Sequence, residues 1–183
     1  ERIALARRRP GEMSFGSSGT GTSDHLLIEA LAIASSTKLI HAPFQGAAQA
    51  VPANVGGHIT GSLLNIADQG PFIKQGKLRL LVVTSAQRDA SFPDVPTARE
   101  AGLPQIEAIN WSGFIVHSAT PASAIQRLNA ETVRVLNLPE VKENLQKQSM
   151  MATPTSPEEF AALVKSDGER YRRIIRQVGI KIE

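Results

Sequence analysis

The chain has 183 residues, 42% hydrophobic and only 4% aromatic, with 20 Lys and Arg against 17 Asp and Glu and no cysteine. That length is enough to bury a core, and the net charge of +3 is too slight an excess to mark a nucleic-acid binder. The lack of cysteine excludes disulfide staples and thiolate zinc sites, and no apolar run approaches the roughly 20 residues that span a bilayer.

Residues 1–13 (ERIALARRRPGEM) are charged and open without an initiator methionine. They read as the tail of a helix closed by Pro10 and Gly11, so the chain is expected to begin inside a longer protein. Residues 13–16 form a short strand. Residues 22–34 follow as a helix with Leu26, Leu27, Ala30, Leu31 and Ala34 on one face. Residues 38–44 (KLIHAPF) are β-rich, 46–55 form a small-residue helix bent by Pro52, and 58–64 read as a third strand. A short helix over 69–75 stops at Gly76. The apolar run LRLLVVT over 78–84 predicts a strand covered on both faces. This alternation predicts an α/β fold with a doubly wound parallel sheet.

Residues 85–105 carry three prolines and read as a surface connection with a short helix at 97–101. Residues 107–117 (EAINWSGFIVH) predict another strand. Helices follow over 121–137, 139–148 and 156–178. The first has Pro121 at its opening turn. The last opens on Ser156 with Glu159 three residues on, a capping box. It carries Phe160, Leu163, Val164, Tyr171, Ile174, Ile175 and Val178 at the 3.6-residue period. These C-terminal helices have one strand among them. An α/β domain needs a sheet for such helices to cover, a second sign of an absent N-terminal part.

The densest signal is SFGSSGTGTSDH, residues 14–25, set between a strand and a helix. Its glycines permit positive φ and let backbone amides converge, and Thr20, Thr22 or Ser23 can cap the helix. A helix start with free amides suits a carboxylate or phosphate, although a simple capped turn has the same pattern. The order Gly16, Gly19, Gly21 is not the dinucleotide spacing, and KLIHAP offers no acid for a ribose. No G-K-[ST] follows, and Ser18 lies between Gly16 and Thr20 rather than in a G-x-S-x-G elbow. A hydrolase using Ser17 or Ser18 with His25 is the residual catalytic reading. His25 either donates to a ligand oxygen or fixes the turn through a neighbouring backbone group. Asp24 would oppose a bound anion unless it faces solvent. His25, His41, His58 and His117 lack metal-ligand spacing.

HAPFQGAAQA repeats the strand-to-helix geometry. After Phe44, Gly46, Ala47 and Ala48 would present amides with no side chain in the way. Two such turns at the carboxyl ends of neighbouring parallel strands make the usual ligand crevice of an open α/β sheet. Asn65 is a candidate polar wall, and Trp111 either covers an apolar ligand surface or fills a core. The basic runs 7–9 and 170–176 lack interleaved aromatics and read as solvated helix faces.

GSSGTGTSDHL, HAPFQGAAQAV, GKLRLLVVTSAQRDASFPDVPTAREAGLP, NWSGFIV and TSPEEFAALVKSD occur in an order that resembles the Bug-type solute receptors of the tripartite tricarboxylate transporter family, over essentially the whole chain. The resemblance implies a periplasmic-binding-protein-like Venus flytrap of type II, with no catalysis and no cofactor. It implies a small di- or tricarboxylate ligand, membrane transporter subunits as partners and a periplasmic location. A sensor presenting the bound acid to a signalling partner is the alternative role. The family's loops map onto Ser17, Ser18, Gly19, Thr20, Gly21 and Thr22, and onto Gly46, Ala47 and Ala48; His25 and Phe44 beside them are further candidate ligand-binding residues. Gln45 stands where a lysine is frequent. Residues 1–106 would be the second ligand-binding domain and 107–183 the returning part of the first, whose other half and cleft loop would be missing. The full-length receptor is then expected to be a monomer, and this fragment to dimerise or swap.

Overall fold

The computed structural model describes residues 2–180. The chain divides into two units. One runs to Asn110 and takes in the residues from Arg173 onward, and the other is Trp111–Arg172.

The first unit is built on a three-stranded parallel sheet, β1 (Ser14–Ser17), β2 (Ile40–Pro43) and β3 (Gly61–Ser62), in the order β2-β1-β3. β1 pairs Phe15 with His41 and Ser17 with Pro43 on one side, and Phe15 with Gly61 on the other. The helix α1 (Arg2–Arg8) precedes the sheet. The crossovers are α2 (Ser23–Ser35) and α3 (Ala47–Val55), and α4 (Ile66–Lys74) follows β3. The α/β reading of this half therefore holds, with a shorter third strand than the sequence predicts.

α2 starts where Thr22 caps it, its side chain accepting from the His25 amide, and ends at Ser36 with φ 51°. Leu26, Leu27, Ile28 and Ala30 are all buried, Ile28 completely. The first turns of α2 are thus enclosed on more than one face, a wider burial than the predicted stripe. The core runs from Ala30 to Ala98, Leu103 and Ile106, with Ile174 packed against it. Pro52 sits inside α3 without ending it.

The predicted strand over 78–84 does not form. Only Val83 pairs, in a single parallel bridge with Thr97, through bonds from the Val83 amide to the Pro96 carbonyl and from the Ala98 amide to the Val83 carbonyl. Leu81 is 48% exposed. A strand's backbone groups need a ladder, and among the described residues no strand runs beside 78–82. Residues 97–101 are a turn rather than a helix, and a 3-10 turn (Pro104–Ile106) follows.

The second unit has helices where predicted: α5 (Ala122–Leu136), α6 (Pro139–Lys147) and α7 (Pro157–Val178), the last continuing beyond the unit's boundary at Arg172. The capping box before α7 is formed, the Ser156 amide donating to Glu159 Oε2 at 2.8 Å and the Glu159 amide to Ser156 Oγ at 3.1 Å. The predicted strand over 107–117 is absent for the same reason as the first. Residues 111–117 are exposed, Phe114 and Ile115 at 85% and 86%.

Candidate functional site

The site is a pair of strand-to-helix turns at the carboxyl edge of the sheet. The first turn leaves β1 at Ser17 and enters α2; the second leaves β2 at Pro43 and enters α3. Because β1 and β2 are adjacent and parallel, both turns emerge at the same edge. They are stitched together by two backbone bonds, from the Phe44 amide to the Ser17 carbonyl at 3.2 Å and from the Gly46 amide to the Ser18 carbonyl at 3.1 Å.

The hydroxyls of the first turn are turned inward. Ser17 is fully buried and its Oγ lies 2.6 Å from His41 Nε2, 3.1 Å from the Gly19 carbonyl and 3.2 Å from the Gly19 amide. Ser18 donates to Asp24 Oδ2 at 2.5 Å. Thr22 donates to the Gly19 carbonyl at 2.8 Å while accepting from the His25 amide. These three hydroxyls shape the loop. Asp24 does not face solvent; it is buried, and its charge is taken up by the Ser18 hydroxyl and amide.

The amides tell the opposite story. Among the described residues, those of Thr20, Ser23 and Asp24 in the first turn and of Ala47 and Ala48 in the second have no acceptor. The hydroxyls of Thr20 and Ser23 are equally without a partner. Free amides at two helix starts, with no lysine or arginine in either loop, form a neutral donor set for an anion. Gly46 supports this, since its φ of 103° is a conformation that L side chains rarely adopt.

His25 does not point a free nitrogen at the turn. Its Nδ1 accepts from the Gly21 amide at 3.0 Å, its Nε2 lies 3.6 Å from Glu29 Oε1, and its ring stacks on that of His41 at 3.6 Å and 7°. Burial first, and the neighbouring His25 second, push the pKa of His41 down to about 4. Neither His41 nor Ser23 belongs to the sequence-derived site. The signal for His41 was its place in β2, two residues from Pro43 and on the same face, in register with Phe15.

Asn65 occupies the N-cap position of α4 without a side-chain capping bond, and its Oδ1 accepts from Asn110 Nδ2 at 2.8 Å. Trp111 belongs to the other unit. Its indole N–H donates to Asp167 at 2.7 Å and its ring meets Phe160 edge to face. A cavity of about 220 Å³ opens between α3 and α4 beside Ala47 and Ala48, but its charged wall is the Asp68 carboxylate, which repels an anion. Among the described residues no cluster of His, Asp and Glu could hold a metal. No described helix is long and apolar enough to cross a membrane.

A parallel sheet with loops of this kind at its carboxyl edge defines an α/β fold of the periplasmic-binding-protein type. Two solved structures share it. A protein of R. palustris solved with adipate is 25% identical, with a TM-score of 0.87 over 98% of this chain and 60% of its own. MatC from Rhodopseudomonas palustris with bound malate is 25% identical, with a TM-score of 0.76 over 95% of this chain and 60% of its own.

Residues 1–180 match the tripartite tricarboxylate transporter family receptor, and the chain belongs to that family, one of receptors rather than enzymes. A relative from Pseudomonas sp. strain P51, the UPF0065 protein in the tcbD–tcbE intergenic region, is 37% identical over 174 residues, 94% of this chain and 52% of its own length. BugT of Bordetella pertussis is 27% identical over 181 residues, 99% of this chain and 56% of its own. The chain spans about half the length of these two relatives.

Proposed function

We propose that the protein is a periplasmic receptor for a small organic acid with two or three carboxylates, delivering it to membrane subunits of a tripartite tricarboxylate transporter. The observation that carries this reading is the set of unpaired amides at Thr20, Ser23, Asp24, Ala47 and Ala48, gathered by two bonded turns and accompanied by no cation. A carboxylate accepts several such donors at once, and helix starts favour its charge. The adipate and malate present with the two Rhodopseudomonas structures are acids of this class.

In this reading Thr20, Ser23, Ala47 and Ala48 touch the ligand. Ser17, Ser18, Gly19, Gly21, Thr22 and His25 hold the first loop in shape, while Phe44 and Gly46 anchor the second loop to it. Asn65 and Trp111 would act through the groups they already bind. In this reading residues 1–106 are the receptor's second domain and supply the cradle, and 107–183 belong to its first domain.

Thermal melting of the full chain against mono-, di- and tricarboxylates, sugars and amino acids tests the reading. A bound acid at 100 times its Kd should stabilise by about 2.7 kcal/mol. The reading predicts a rise in Tm for at least one di- or tricarboxylate and none for sugars. A flat response across all the acids would overturn it.

A further inference from the structure

Beside the amide cradle lies a stacked pair of imidazoles, of which the receptor reading gives a role to His25 and none to His41. His25 comes from the first turn of α2 and His41 from β2, so the stack clamps the loop between them to both neighbouring elements. The protons on the two rings follow from their partners.

A backbone N–H can only donate. The 3.0 Å contact from the Gly21 amide therefore requires a lone pair on His25 Nδ1. The ring is then neutral, with its proton on Nε2, facing Glu29. At Ser17 the hydroxyl has one proton and two lone pairs. With His41 carrying a proton on Nε2, Ser17 donates to the Gly19 carbonyl and accepts from the Gly19 amide and from His41, and every group is satisfied. Both rings thus hold the loop in their neutral forms. Gly21, at φ 78°, is kept in its left-handed conformation by the His25 acceptor.

A second proton on His25 would set an N–H against the Gly21 N–H and remove that bond. A charge on both rings would repel across the 3.6 Å stack. The other charged groups around the pair are few. α2 contributes Glu29 at His25 Nε2 and the buried Asp24, committed to Ser18. β2 contributes only His41, while β1 and the 3-10 turn that packs on α2 contribute none.

We propose that His25 and His41 are positioning residues of the cradle: the lone pair on His25 Nδ1 holds the Gly21 turn, and carboxylate binding weakens when that acceptor is lost. This rests on the receptor reading for its ligand but not for its geometry. The role is distinctive, because a histidine acting only as a nearby cation would lose its effect in any neutral replacement, whereas an acceptor role survives in a neutral acceptor.

Two variants separate the roles. His25→Phe keeps a ring on the stack and removes the acceptor. His25→Asn keeps an acceptor oxygen near the Nδ1 position and cannot titrate. Calorimetric titration with adipate and with malate at pH 7.5 should show affinity falling at least tenfold in His25→Phe and staying within about threefold of wild type in His25→Asn. Equal affinity in wild type and His25→Phe, or an equal loss in both variants, overturns the proposal.

Hydrogen exchange at the Gly21 amide at pH 7.5 supplies the arm that needs no ligand. Exchange should be at least tenfold faster in His25→Phe and within about threefold of wild type in His25→Asn; equal rates in wild type and His25→Phe overturn the proposal. If neither acid binds while the exchange contrast is present, the receptor reading falls and the positioning role stands.

Discussion

The two units contrast in what holds their backbone. In the first, Ile28 is buried and Ala30 of α2 packs with Ala98 and Ile106 in a core, and polar side chains such as Ser17, Asp24 and His25 are buried with partners. From Trp111 to Arg172 no described residue is buried, although α5 and α7 carry apolar stripes. Helices form there nonetheless because each satisfies its backbone within itself and carries its own start signal, as at Ser156. Strands cannot do this. Residues 107–117 have a strand's composition and no ladder, so Phe114 and Ile115 extend into solvent.

This contrast can be broken most directly by hydrogen exchange. Amides of β1 and the middle of α2 should exchange at least about a thousandfold more slowly than those of α5, since protection follows buried packing. Similar protection in both units would mean that the second has a core of its own. Next in size is a pair of truncations. Ile28→Ala should cost about 2–5 kcal/mol of stability by denaturant unfolding, whereas Leu128→Ala, 55% exposed, should stay within about 0.5 kcal/mol. Comparable losses would remove the distinction.

Smaller effects sharpen the comparison at the helix starts. Thr22→Ala and Ser156→Ala each delete a capping oxygen worth about 1 kcal/mol, but Thr22 also holds the Gly19 carbonyl. Thr22→Ala should therefore weaken carboxylate binding in calorimetric titration, and Ser156→Ala should not.

A pH effect is expected in the first unit. The folded chain resists protonating His41 until about pH 4, while the unfolded chain takes that proton near 6.5. The unfolded state gains protons first, so His41's contribution is complete above about 6.5 and is lost as the pH falls towards 4. His41→Gln should show a shallower fall in Tm over that window. An identical slope would place the pH dependence elsewhere.

Much of this was legible in the residues. Ser156 announced one helix start, Thr20, Thr22 and Ser23 announced another without deciding which of them caps it, and the spacing of strands and glycines announced both turns. The family resemblance covers the same stretches. What could not be read was the direction of the side chains. Ser17, Ser18 and Thr22 look like ligand groups in a list of hydroxyls, yet each is engaged by a partner that only the folded register brings near, as His41 is brought to Ser17. The strands over 78–84 and 107–117 were misread for a related reason. Their composition specifies extended, buried backbone, but pairing depends on a neighbour that no local pattern contains.

A cradle made of peptide groups has a consequence for selectivity and release. Its donors carry no net charge, so a bound acid is recognised by the directions of fixed N–H bonds and not by a counter-ion. Added salt should then weaken binding far less than it would at a site built from lysine or arginine. Side chains such as Thr20 and Gln45 could then be exchanged without removing the peptide donors of the proposed cradle.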